Sequence, residues 1–200
     1  MNWPNILTLS RVAFAFIVVY LLLLNSLIGD ILAAAAFALA SLTDFYDGYL
    51  AKKKGLISDF GKIMDPIADK VLMLSIFSCL AYMGLIDGWM VLLIAIREIG
   101  ITVDRLWCMK KGQVLAAERA GKIKTAFQIL TVSFILIYLI LEQMAFSYDW
   151  FYQIQGYYLS GIDFLMMITV LLTLVSGVSY FRNKFKSCNS NSVIANPRKG

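Results

Sequence analysis

Histidine is absent from the 200 residues, and the three cysteines, Cys79, Cys108 and Cys188, stand far apart with no CxxC pair. Those absences argue against a zinc site and against a disulfide framework. Charge is scarce too: 16% of the residues are Asp, Glu, Lys or Arg, whereas 60% are hydrophobic. Soluble domains are usually about 45–50% apolar, so this composition indicates a single integral membrane domain. None of the eighteen Lys and Arg residues lies in 12–51, 71–96 or 125–181. The net charge of +5 therefore sits in short basic segments between apolar ones. Such an arrangement suits anionic lipid and cytoplasmic phosphates rather than nucleic acid.

What remains is long apolar runs. They predict spanning helices over 12–29, 31–51, 64–85, 89–109, 125–141 and 161–181, close to the roughly 20 residues that cross a bilayer core. The first run is about twice as long as a signal-peptide core and is followed by no small-residue cleavage site, so it is expected to be retained. Residues 142–160, rich in Tyr and Trp, read as an outer interfacial belt. The base-free intervals contain the first, third and fifth connections, which the positive-inside rule assigns to the outer side. The expected protein is all-α and integral to the membrane, with six transmembrane helices and both termini cytoplasmic. Residues 1–187 form its one domain, and 188–200 a cytoplasmic tail without fixed order.

Between the second and third runs lies DFYDGYLAKKKGLISDFGKIMDPIAD, Asp44 to Asp69. At about 100° per residue, Asp44, Asp47, Gly48 and Ala51 fall on one helical stripe, and Gly61, Asp65 and Asp69 on another. A short connection makes these helices antiparallel neighbours, so four carboxylates converge at the cytoplasmic end. Clustered carboxylates repel strongly at low dielectric unless cations neutralise them. An all-oxygen set suits Mg²⁺, Mn²⁺ or Ca²⁺, and the small residues leave room for a bulky ligand. A plainer reading also exists: Asp65 before Pro66 is a good N-cap, and Asp44 and Asp47 can pair with Lys52, Lys53 and Lys54.

The spacing D-x2-D-G-x2-A-K-x8-G-x3-D-x3-D, occupied by Asp44, Asp47, Gly48, Ala51, Lys52, Gly61, Asp65 and Asp69, closely resembles the signature of the CDP-alcohol phosphotransferase family. Lys52 departs from it, standing where the family usually has arginine and losing the bidentate fork. The stretches NWPNILTLSRV, IREIGITVDRLW and GKIKTA extend the likeness to bacterial members over roughly residues 1–181. The resemblance implies a six-helix homodimer in the inner (plasma) membrane with its active site facing the cytoplasm. It also implies transfer of a phosphatidyl group from CDP-diacylglycerol to sn-glycerol 3-phosphate, with release of CMP. On that likeness Asp44, Asp47, Asp65 and Asp69 bind Mg²⁺ or Mn²⁺, and Asp69 also acts as base. Asn5, Thr8, Gly48, Ala51, Lys52 and Gly61 then belong to the CDP-diacylglycerol site.

An acceptor carrying its own phosphate needs a second basic pocket. Arg97 and Arg105 in the fourth apolar run, with Lys122 and Lys124 before the fifth, are the candidates. The lysines are equally explained as positive-inside anchors, and Arg97 by pairing with Glu98 or another acid. Phosphatidylglycerol, as in cardiolipin synthesis, and inositol phosphate are alternative acceptors for the same chemistry. A divalent-cation transporter is the alternative of another class, opposed by the lack of a charged path through 71–86 or 125–141.

Overall fold

The computed structural model describes residues 3–54, 59–110, 119–145 and 149–194. They form six helices: α1 (Trp3–Leu23), α2 (Leu27–Lys54), α3 (Asp59–Tyr82), α4 (Gly88–Lys110), α5 (Arg119–Ala145) and α6 (Asp149–Ile194). Each predicted apolar run falls largely within one helix, and no strand occurs among the described residues. The tail expected to lose order beyond Ser187 is helical as far as Ile194; residues 195–200 lie outside the described ones.

Short turns are built from local chemistry. Ser26 caps α2, its Oγ accepting the Gly29 amide at 3.2 Å, while Asn25 takes the left-handed backbone at φ 45°. Gly29 sits where a Cβ would meet the Leu21 carbonyl oxygen at 2.7 Å. The end of α3 is a Schellman turn: Leu85 N donates to Leu80 O at 3.1 Å and Gly84 N to Ala81 O at 3.0 Å. Gly84 supplies the required positive φ of 76°.

The helices pack in a closed ring, α1–α3–α4–α6–α5–α2 and back to α1, with α3 also touching α5 across the middle. Small residues let α2 approach its neighbours: Ala33, Ala36 and Ala40 are buried. Phe77 on α3, Ile94 on α4, Leu136 on α5 and Met166 on α6 meet in the core. Buried Thr131 and Thr169 share a hydrogen bond of 2.9 Å between α5 and α6. The expectation that α2 and α3 are direct neighbours is not met among the described residues. Instead α1 packs against both, through a buried stripe of Arg11, Ala15, Val18 and Leu22. Spacings of four, three and four residues keep that stripe on one face of α1.

Two stretches, Gly121–Ala145 and Gln153–Lys184, are by length and composition apolar enough to cross a membrane; Ser10–Leu23 and Leu27–Thr43 are apolar but shorter. The other predicted spans contain charge: Asp69 and Lys70 lie in α3, Arg97 and Glu98 in α4.

Candidate functional site

Helix α2 carries Asp44, Asp47, Gly48, Ala51 and Lys52, and α3 carries Gly61, Asp65 and Asp69. Both segments are helical, so each aspartate pair shares one helix face. Asn5 and Thr8 stand on α1. Of these residues only Asp69 has a described side chain; those of Asn5, Thr8, Asp44, Asp47, Ala51, Lys52 and Asp65 lie outside the described set, as do the surroundings of Gly48 and Gly61. Asp69 is 40% exposed, and its Oδ1 accepts from Arg11 Nη1 at 2.9 Å. The Arg11 side chain is only 5% exposed. It reaches from α1 to α3, and ion pairing is what makes such a burial tolerable.

One residue further along α3 the direction changes by about 100°. Lys70 Nζ lies 2.7 Å from Oε2 of Glu98 on α4. Glu98 Oε1 accepts from Lys124 Nζ on α5 and lies 3.2 Å from Arg97 Nη1. Arg97 also donates from Nη2 to Ser176 Oγ on α6. Beside Ser176, a Cβ on Gly177 would stand 3.4 Å from Arg97 Cγ, so the arginine lies against α6 at van der Waals distance. Three helices thus meet at one carboxylate whose side chain is 3% exposed, and Arg97 links it to α6.

Of the four bases proposed for the acceptor, the structure brings Arg97 and Lys124 together and leaves the other two apart. Lys122, two residues before Lys124 and so on another face of α5, is exposed. Arg105 lies two turns beyond Arg97 on α4, with its Nε buried and without a hydrogen-bond partner. Its neighbour Asp104 is tied to α6 by Lys184 and by Tyr180, whose hydroxyl donates at 2.9 Å.

Arg11, which with Asn5 and Thr8 matches a family pattern near the nucleotide phosphates, instead pairs with Asp69. Lys70, Glu98 and Ser176 were not singled out as site residues from sequence, although Lys70 follows Asp69 directly and Glu98 follows Arg97. Ser176 stands in an apolar run, and only the packing of α4 on α6 brings it to Arg97.

An all-helical ring with a paired-aspartate signature on α2 and α3 defines a class, and the sequence comparisons give the same class. The chain belongs to the CDP-alcohol phosphatidyltransferase family, whose profile matches residues 1–176. Among curated relatives, the CDP-diacylglycerol–glycerol-3-phosphate 3-phosphatidyltransferase of Bacillus subtilis (strain 168) is 33% identical over 204 residues, covering 96% of this chain and 99% of that protein. The protein of the same name from Rickettsia typhi (strain ATCC VR-144 / Wilmington) is 31% identical over 188 residues, 90% of this chain and 96% of that one.

Proposed function

We propose that this chain transfers the phosphatidyl group of CDP-diacylglycerol to sn-glycerol 3-phosphate, giving phosphatidylglycerophosphate and CMP. The observation that carries this reading is the placement of two chemistries on successive residues of α3. Asp69 faces Arg11 on α1, and Lys70 pairs with the Glu98 carboxylate that Arg97 and Lys124 also contact. A proton acceptor beside a basic pocket is what a hydroxyl bearing its own phosphate requires. The names of the relatives, each covering at least 90% of this chain, support the same donor and acceptor.

The protein works in the inner (plasma) membrane as six spans of one domain, with both termini and the site on the cytoplasmic side, and as a homodimer. Exposed apolar side chains around the ring support the membrane setting, among them Phe16, Leu39, Ile96, Leu130 and Phe164. Trp89 and Trp107 are both exposed on α4. They are eighteen residues apart, about 27 Å along a helix, which matches a hydrocarbon core of about 30 Å with a tryptophan near each interface.

Asp44, Asp47, Asp65 and Asp69 are the residues that would hold Mg²⁺ or Mn²⁺. The donor set fits, being carboxylates only, paired at i,i+3 on α2 and i,i+4 on α3. A divalent ion bound there would neutralise the pyrophosphate and the charge developing on CMP. Asn5, Thr8 and Lys52, with the small Gly48, Ala51 and Gly61, receive the nucleotide end of the donor. Arg97 and Lys124 bind the acceptor phosphate, assisted by Arg105 and Lys122 at the entrance. Asp69, oriented by Arg11, takes the proton from the acceptor hydroxyl as its oxygen bonds to the phosphorus nearer the lipid. The bond from that phosphorus to the CMP oxygen breaks, and CMP leaves with the electron pair. Positioning and charge neutralisation supply most of the rate enhancement in such a displacement.

Purified protein in proteoliposomes tests this against cation transport. CMP release that requires both CDP-diacylglycerol and added glycerol 3-phosphate is expected. Metal flux without CMP release contradicts it.

A further inference from the structure

Among the described residues Glu98 pairs with cations on three helices, and no step of the transfer described above uses it. Its buried carboxylate contacts three cations from three helices: Lys70 on α3, Arg97 on α4 and Lys124 on α5. Formally, one negative and three positive charges leave a surplus of two. Isolated cations in a helix bundle are costly, so the carboxylate is what allows three to gather there.

We propose that Glu98 is a positioning residue of the acceptor pocket. It holds Lys70, Arg97 and Lys124 around one point so that their surplus charge meets a phosphate monoester dianion, and it thereby makes Lys70 part of that pocket. The inference rests on the reading of Arg97 and Lys124 as the acceptor-phosphate site.

Three features support it. Lys70 and Arg97 keep partial access, with side chains 27% and 14% exposed. An ammonium has three donors, more than the Glu98 carboxylate engages on Lys70. Lys124, at 2% exposed, stands behind them, held by Glu98. Lys70 also follows Asp69 directly on a rigid helix, so holding its ammonium against α4 sets where the phosphate sits relative to Asp69. One arm of the pocket is thereby registered to the reacting hydroxyl.

A carboxylate among cations admits an opposite role, that of an internal plug standing where the phosphate must bind. The sign of one measurement separates the two. Removing a plug leaves a more positive, unobstructed pocket, and the KM for glycerol 3-phosphate falls. Removing a positioning group lets three like charges repel one another, and that KM rises.

The experiment is steady-state kinetics of full-length Glu98→Gln and Glu98→Asp, varying each substrate in turn, with a thermal melt of each variant. Glu98→Gln is expected to raise the KM for glycerol 3-phosphate about tenfold or more, the scale of one charge-assisted hydrogen bond to phosphate. The KM for CDP-diacylglycerol should stay within about twofold. Glu98→Asp, which keeps the charge but shortens the reach, should recover part of the loss. If Glu98→Gln does not fold, Glu98→Asp and Lys70→Gln carry the test and must show the same split between substrates. A fall or no change in the acceptor KM, or an equal rise in both constants, overturns the proposal. Arg97→Gln and Lys124→Gln locate the failure. If they raise the acceptor KM and Glu98→Gln does not, only the positioning role is lost; if neither does, the acceptor site itself has been misplaced.

Discussion

Arg11 and Asp69 form an ion pair of 2.9 Å between α1 and α3, with the arginine side chain almost wholly buried and the aspartate partly open. A buried guanidinium is a fixed, permanently charged anchor. It holds the last aspartate of the signature from α1, so the carboxylate is oriented by a helix that contributes none of the four acids. Arg11→Gln keeps length and polarity but removes that anchor. We expect kcat to fall about tenfold with the KM for glycerol 3-phosphate little changed, measured by CMP release at saturating donor. Unaltered kcat would show that Asp69 is oriented by other groups.

Asp69→Asn should lower turnover by about two to four orders of magnitude, the usual range for loss of a general base. The variant should still fold and bind CDP-diacylglycerol. A thermal melt and a donor-binding assay separate loss of chemistry from loss of structure, and near-normal turnover would remove Asp69 from the mechanism.

Chelation by EDTA should abolish CMP release, and added Mg²⁺ or Mn²⁺ should restore it while Zn²⁺ restores little. Oxygen-only ligands favour the harder ions. Full activity after exhaustive chelation would leave the four aspartates needing another explanation.

Phe77 is fully buried at the centre of the ring, away from the charged cluster. Phe77→Ala should destabilise the fold by about 3–5 kcal/mol through lost contacts and a residual cavity. It would be read as a lower thermal midpoint in detergent, with both KM values preserved in the fraction that remains folded.

The sequence foretold some of this better than the rest, and the difference is physical. Helix positions follow from apolar runs between charged turns, so all six could be read in advance. The stripes of Asp44 with Asp47 and Asp65 with Asp69 follow from helical periodicity alone. The pairing of Arg97 with Glu98 was legible because the two are adjacent. Ring order was not, because a short connection brings two helix ends together without deciding what lies between the helices. The buried stripe of α1 takes up contacts with both α2 and α3. For the same reason Lys70 could not be assigned to a pocket on α4, nor Ser176 to Arg97. Lys124 resembled an ordinary interfacial anchor until its burial against Glu98 was seen.

The identity of the acceptor is tested most directly by one incubation. Purified protein is given CDP-diacylglycerol and Mg²⁺ or Mn²⁺ with glycerol 3-phosphate, serine, inositol phosphate or phosphatidylglycerol in turn, and the lipid product is identified by mass. The predicted result is phosphatidylglycerophosphate with glycerol 3-phosphate, in amounts equal to the CMP released, and no comparable product from the others. Efficient formation of cardiolipin, phosphatidylserine or a phosphatidylinositol phosphate, with none from glycerol 3-phosphate, would contradict it.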